Sequence, residues 1–319
     1  MLAKLPIEII LLICEYPESK ELKQLARTSN RMMRIIKKYL PKALEKKILF
    51  YLLYLKDKIC EGRICLFDSH TNSVEHIAKF TNHYHLYEVA TTQNKMFAIN
   101  YYEESSETYD LNTRQISRGP DPPEWRQQAS VAYFKHKLYY LGGWEREEMK
   151  TTNRVDVLIN RKWQTGPALP LPIIAAQTIT CDEILYVIDG WGWGSRKIYR
   201  LSNDEQEWIE IGEVPKGRSS FGVASLNGRI YITGGLESYH GSYGDVFNSC
   251  LCFDPSAPVN SRIFRIADMN YARYDNSLIV ANGKLYAIGG FQKRNQNYCN
   301  SIEEYDPQTN EWQEVGKLT

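Results

Sequence analysis

Leu138-Tyr139-Tyr140-Leu141-Gly142-Gly143, Ile230-Tyr231-Ile232-Thr233-Gly234-Gly235 and Leu285-Tyr286-Ala287-Ile288-Gly289-Gly290 are three copies of one phrase, a short apolar strand that ends in a glycine pair. Degenerate copies run from Leu185 to Gly190 and from Met96 to Tyr101. The aromatic positions Phe97, Tyr139, Tyr186, Tyr231 and Tyr286 are spaced by 42, 47, 45 and 55 residues. A repeat of that length predicts stacked units, because one such unit cannot bury its own apolar face.

The register extends beyond the glycines. Arg126, Arg218 and Arg273 stand thirteen residues before Tyr139, Tyr231 and Tyr286, while Tyr84 and Ile173 take that place in the two degenerate copies. Further along, a bulky residue follows after a seven-residue step in Tyr109 to Ile116, Leu201 to Trp208 and Tyr305 to Trp312. Trp163 and Phe264 close the other two units, the second after an insertion at Pro255 to Ser261. Four strands per unit follow, an antiparallel meander. Asn227-Gly228 and Asn282-Gly283 suit the positive φ angles of a two-residue hairpin between the first two strands. The glycine pair allows a sharp turn and close backbone approach, and the large aromatics fill the wedge between radiating sheets.

Together these residues resemble the kelch repeat over roughly residues 84 to 319. The resemblance implies a mainly β fold, a kelch β-propeller of about six four-stranded blades. Ile64 to Asp68 followed by Val74 repeat the third and fourth strands of a further, first blade whose inner strands are not obvious. Ile48 to Leu55 fits its second strand, but Leu44, Ile48, Leu52, Leu55 and Ile59 fit a helix equally well. The ring therefore either closes imperfectly or is shortened relative to other kelch propellers.

Residues 1 to 60 are of another kind and are assigned to a small α-helical domain, with residues 61 to 319 as the propeller. Leu5-Pro6-Ile7-Glu8-Ile9 reads as a helix start, with proline in the first turn where no amide donor is needed. Leu22, Leu25 and Ala26, then Met32, Ile35 and Ile36, give two more short apolar faces. This segment looks like an F-box, although Pro17-Glu18-Ser19 sits where many members have a leucine-containing turn. That resemblance implies docking on the Skp-type linker of a cullin ubiquitin ligase through Leu5, Pro6, Ile9, Leu22 and Leu25. The bland alternative is a helical cap, or the remnant of the helical domain that precedes kelch repeats in the BTB family.

Composition narrows the chemistry. The 319 residues carry a net charge of +1, but residues 1 to 60 hold 13 Lys plus Arg against 6 Asp plus Glu. Such charge is the solvated side of amphipathic helices, and without an aromatic-interleaved basic face no nucleic-acid partner is expected. Seven scattered cysteines lack the spacing of a disulfide framework, and no secretory signal or membrane span is read. A cytoplasmic or nuclear setting is the expectation. Galactose oxidase-type copper chemistry would need two His and two Tyr ligands. Four of the six His, among them His83 and His85, fall in the least regular region with no third ligand in step. Cys250-x-Cys252 is a lone pair on one strand face, and no nucleophile elbow, phosphate loop or dinucleotide fingerprint occurs. Neither a catalytic residue, a metal nor a cofactor is expected.

A binding surface remains. The turns between second and third strands are long and rich in aromatics and charge: 144–153, 191–197, 236–248 and 291–300. Trp144, Arg146, Trp191, Trp193, Arg196, Tyr239, His240, Tyr243, Phe291, Lys293 and Arg294 are the candidate target-binding residues, since Trp, Tyr and Arg dominate binding hot spots. The sequence therefore predicts an adaptor that presents a target protein to a cullin ligase, with a kelch scaffold for cytoskeletal or regulatory proteins as the alternative.

Overall fold

The computed structural model describes residues 48–318 except 57–58, 80–86, 93, 191–195, 240–241 and 293–296; the side chains of 53–56, 59–61, 87, 238–239 and 242–243 are not described. The chain divides into two compact units, residues 1–47 with 68–71 and residues 48–67 with 72–319. In the first, Asp68 closes a turn by accepting the amides of His70 and Thr71 at 2.9 and 3.4 Å. The expected helices, with Leu5, Pro6, Ile9, Leu22 and Leu25, lie outside the described residues.

In the second unit one 3-10 turn, Val259–Ser261, interrupts an otherwise all-strand set of described elements. Five four-stranded antiparallel sheets follow one another as blades. The second blade comprises Tyr87–Thr91, Lys95–Asn100, Ser105–Asp110 and Gln115–Arg118, and the third Ser130–Phe134, Lys137–Leu141, Val155–Ile159 and Lys162–Thr165. The fourth comprises Gln177–Cys181, Ile184–Ile188, Lys197–Leu201 and Trp208–Glu213. Gly222–Leu226, Arg229–Thr233, Cys250–Phe253 and Ile263–Ile266 form the fifth, and Ser277–Ala281, Lys284–Ile288, Ser301–Asp306 and Glu311–Lys317 the sixth. The first blade has three strands among the described residues, Ile48–Lys56, Ile59–Asp68 and Ser73–Lys79.

Residues 48–56, which the division at residue 60 placed with the helical part, are thus a strand of the propeller. Period alone left the run ambiguous; pairing with Ile59–Asp68 and burial against two neighbouring blades select the extended form. Its register is that of a second strand, since Ile48 lies opposite Phe67 as Leu285 lies opposite Tyr305. Among the described residues the first blade has three strands and the other blades four.

Apolar side chains are buried between sheets, in six wedges that complete a circuit. Val131 and Tyr140 pack with Ala90 and Ile99; Tyr139 and Leu141 with Leu185 and Val187; Tyr186 and Ile188 with Ile230 and Ile232. Tyr231 and Cys252 meet Leu285 and Tyr305, and Leu49 and Leu66 meet Met96 and Tyr109. The circuit closes where Phe50, Leu52 and Phe67 pack on Ile279, Tyr286 and Ile288, with the Phe67 and Tyr286 rings 4.8 Å apart. Each such side chain contributes about 1.5–3 kcal/mol on burial, which no isolated meander could collect. Innermost strands are also laced together by hydroxyls: Thr178 donates to the Val131 carbonyl and Ser225 to that of Thr180, both at 2.8 Å, and Ser277 donates to Tyr51.

The repeated tryptophans lock the third, fourth and sixth blades to the connection that precedes each. The indole N–H groups of Trp163, Trp208 and Trp312 donate to the carbonyls of Pro120, Pro167 and Ala267 at 3.1, 3.0 and 2.9 Å. Asn227-Gly228 and Asn282-Gly283 adopt the expected left-handed pair, with φ of 52° and 73° and of 51° and 73°. Lys135-His136 and Asp182-Glu183 adopt the same conformation without glycine, so strand twist, not residue type, dictates this turn.

The repeat arginines are buried, Arg126 at 1%, Arg218 at 3% and Arg273 at 0% exposure. Arg273 bridges the glycine turn to the third strand: its Nη1 donates to the Gly289 and Ser301 carbonyls at 3.0 and 3.1 Å, and its Nη2 reaches Glu303 at 2.5 Å. Arg126 does the same with Asp156 at 2.9 Å and lies 4.3 Å over the Tyr140 ring. In the fourth blade Ile173 and Tyr199 replace both charges, and both are buried. Arg218 differs, because Leu251 holds the place of Asp156 and Glu303. Its guanidinium bonds the Gly234 and Ser249 carbonyls at 3.1 and 3.0 Å and faces the Phe247 ring, and burial pushes its pKa down to about 10.

Two outcomes are expected. Arg273→Met should destabilise the protein by about 3–5 kcal/mol because it strands a buried carboxylate, and Arg218→Met by about 1–3 kcal/mol because it strands none; urea unfolding of both variants checks the order, and an equal loss contradicts this account. Glu205, in the fourth blade, accepts bonds from Lys137 and Tyr139 of the third at 2.5 and 2.8 Å. Burial pushes its carboxyl up, but these bonds outweigh it and hold the pKa below the usual carboxylate range. Its stabilisation is therefore present at neutral pH and lost as pH falls through the lowered value. The deficit of Glu205→Gln, about 1–2 kcal/mol at pH 7, should vanish in acid melts.

Candidate functional site

In a four-stranded antiparallel blade, the turns between second and third strands leave at the same end as the connections between blades. That end begins with the glycine pair. Gly235 has a φ of +99°, and a Cβ there would lie 2.7 Å from the Ser219 carbonyl, so only glycine lets the chain pass. Beyond it the turns are more ordered than loops. Trp144–Glu145 pairs with both Arg126–Gln127 and Lys150–Thr151, and Leu236–Tyr239 pairs with Arg218–Ser219 and Ser242–Val246. Arg126 and Arg218 thus each sit at the base of a small sheet that lifts the loop, while among the described residues the sixth blade has only isolated bridges beyond Arg273.

The third blade presents the fullest surface. Trp144 is half-buried opposite Gln127, while Arg146 is exposed and makes no hydrogen bond or ion pair among the described residues. Met149 stands 78% exposed at the tip. From the second blade, Tyr102, 50% exposed, receives a bond from the Gln127 side chain at 2.5 Å and joins this surface. Carboxylates stand next to these residues in sequence: Glu103, Glu104, Glu147 and Glu148, the last paired with Lys150. Glu124 is pushed above its usual range by burial and by the charge of Glu145 despite its 3.0 Å bond from Arg154.

The remaining candidates divide. Arg196 is held in place, donating to the Pro215 carbonyl at 2.6 Å and pairing with Glu213. Phe291 is 5% exposed, its ring 5.5 Å from Tyr274 and 6.0 Å from Tyr298, so it packs locally and offers no free face. Tyr239 and Tyr243 lie on facing strands of the fifth-blade hairpin, one residue out of direct register. Trp191, Trp193, His240, Lys293 and Arg294 lie outside the described residues. Sequence reasoning missed Tyr102 and Met149. The signal for Tyr102 was present, because the register of Met96 with Leu138 places it at the position of Trp144.

Cys65, Cys181, Cys250, Cys252 and Cys299 are free and buried; burial pushes Cys250 up to about 12 and Cys252 up to about 11, making them poor nucleophiles. Cys65 lies 3.2 Å from His76 Nδ1 and is pushed up to about 12 by burial. Glu88, on the innermost strand of the second blade, keeps part of its surface open but lies deep among protein atoms. Burial and the Asp275 charge raise it to about 8. Among the described residues no group of three or more His, Cys, Asp or Glu is placed to hold a metal ion, and no helix is long and apolar enough to cross a membrane.

Phe291→Ala should cost about 3–5 kcal/mol of stability as a core truncation, whereas Arg146→Ala should stay within about 0.5 kcal/mol. Thermal melts of the two would separate framework from free surface.

Comparison with known proteins agrees with this architecture. The Kelch motif model matches residues 217–258 and 272–319, which carry the fifth and sixth blades. Kelch-like protein 23 of Pongo abelii is 24% identical over 315 residues, covering 83% of this chain and 56% of that protein. Kelch-like protein 40 of Xenopus laevis is 25% identical over 220 residues, 64% of this chain and 34% of that protein. The human Kelch repeat and BTB domain-containing protein 13 is 32% identical over 126 residues, 39% of this chain and 26% of its own length. The chain spans about half the length of the first of these relatives. Kelch motifs in its last two blades and similarity to Kelch-like proteins over most of its length support a kelch-repeat architecture for this chain.

Proposed function

We propose that this chain is a substrate-recruiting adaptor of a cullin-type ubiquitin ligase. The propeller's loop-bearing end holds a target protein, and the F-box-like segment before residue 48 engages the Skp-type linker. The carrying observation is the cluster of half-buried Trp144 on a paired strand with exposed Tyr102, Arg146 and Met149 on the adjoining turns. Aromatic and arginine side chains on a rigid support lose little entropy on binding and dominate interface energetics. The sequence-adjacent carboxylates Glu103, Glu104, Glu147 and Glu148 favour a basic segment in the target. The adaptor performs no bond chemistry; it raises the target's effective concentration at the ligase. Linker engagement rests on the F-box-like sequence around Leu5-Pro6.

A second reading is a kelch scaffold for cytoskeletal or regulatory proteins without a ubiquitin role. It needs only the kelch similarity and draws nothing from the F-box-like segment. The two separate in a pull-down of purified Skp-type linker and cullin by the full chain and by a Leu5→Ala, Pro6→Ala variant, with folding of both checked by circular dichroism. Capture that disappears in the variant supports the adaptor. Failure of the folded parent to capture the linker overturns it in favour of the scaffold.

A further inference from the structure

The opposite end of the propeller, where the first-to-second and third-to-fourth turns emerge, carries a cavity of about 780 Å³ between the fourth and fifth blades. Tyr186 and Arg200 of the fourth blade form one wall, and Arg229, Asp254 and Arg262 of the fifth form the other. Pro255 and Ser256, from the insertion between the third and fourth strands of the fifth blade, line it as well.

The charges in this cavity do not balance. Arg229 is paired with Asp254 at 3.0 Å, and Asp254 is further engaged by the Ser256 amide and hydroxyl at 3.0 and 2.6 Å. Arg262 spends Nε on the Ala257 carbonyl and Nη1 on the Ile211 carbonyl across the groove, both at 2.9 Å. Its charge therefore meets carbonyl dipoles and no carboxylate. Arg200 is partly buried in the wall and has neither a hydrogen bond nor an ion pair among the described residues. Elsewhere on the fourth blade Lys197 is neutralised by Glu210 and Glu213, and Arg196 by Glu213. Three guanidinium groups, of Arg200, Arg229 and Arg262, thus face two carboxylates in the lining, Asp254, which is taken by Arg229, and Asp182, which forms no ion pair among the described residues; Tyr186 and Ile211 line the cavity with them.

We propose that this inter-blade groove is a second binding site, which takes an acidic peptide segment and seats a Glu or Asp side chain on Arg200 and Arg262. The planar guanidinium matches a carboxylate with two parallel bonds, and partial burial limits the competition from water. The size of the cavity suits a side chain with its flanking backbone. The site lies at the other end from the loop surface, and the inference does not depend on which protein that surface holds.

The test is fluorescence anisotropy at low salt with the full chain and two labelled short peptides, one rich in Glu and one with every Glu replaced by Gln. The acidic peptide is expected to bind and the Gln peptide not to. Arg200→Glu should weaken the acidic peptide about tenfold or more, while Arg146→Ala at the opposite end should leave it unchanged. Arg200→Gln, which keeps the volume and the polarity without the charge, should also lose binding at an unaltered melting temperature. No binding of the acidic peptide, equal binding of both peptides, or binding by a folded Arg200→Gln variant as tight as the parent's would each overturn the proposal.

Discussion

The buried guanidinium at the root of a blade is the interaction from which the rest of the unit takes its shape. A strand that ends in a glycine pair leaves carbonyls pointing into protein, where an unpaired acceptor costs about 1–3 kcal/mol. Arg273 answers several at once, collecting the carbonyls of Gly289 and Ser301 with one nitrogen and Glu303 with the other. In doing so it fixes the distance between the start of the blade, its glycine turn and its third strand. In the third and fifth blades the loop that follows is lifted on a small sheet whose edge is the arginine's own backbone, as with Arg126–Gln127 and Trp144–Glu145. The fold can dispense with the charge pair, since Ile173 and Tyr199 fill the same place with apolar volume. It cannot dispense with the backbone geometry: the Gly143 amide still bonds the Ile173 carbonyl at 2.8 Å, as that of Gly235 bonds Arg273.

Much of this was legible in the residues. A strand ending in glycine, an arginine thirteen positions earlier and a tryptophan on the outer strand each have one physical job, so their joint recurrence specified a four-stranded meander and its register. Ile48–Lys56 resisted reading for an equally physical reason. An unbroken apolar run carries no period, and only its partners on both sides decide between strand and helix. The turns at Lys135-His136 and Asp182-Glu183 were silent because neither residue pair favours a left-handed backbone; the twist of the flanking strands imposes it.

The candidate site was legible in type more than in detail. Trp144 and Arg146 were placed correctly at the loop-bearing end, because meander topology alone says which turns share an end. Phe291 was chosen for its ring and turned out to be packed between Tyr274 and Tyr298, a distinction that composition does not carry. Tyr102 went unread because Asn100 and Tyr101 stand in place of the glycine pair, masking a position that pairing register reveals. Arg200 has no motif at all. Its interest comes from what surrounds it, a balance of charges that exists only once two blades are side by side.

The three-stranded first blade has a consequence for how the ring moves. Where the third and fourth blades meet, contact runs from the Thr178 hydroxyl on the Val131 carbonyl at the centre to the Trp208 indole on the Pro167 carbonyl at the rim. The first blade, with three strands among the described residues, meets the sixth through the Ser277 link and the wedge around Phe67 and Tyr286, and the second through Leu49 and Leu66. A circular array relaxes where it is fastened least, so slow opening of this propeller is expected at the first blade, with amides of Ile48–Lys56 exchanging with solvent ahead of those in the four-stranded blades.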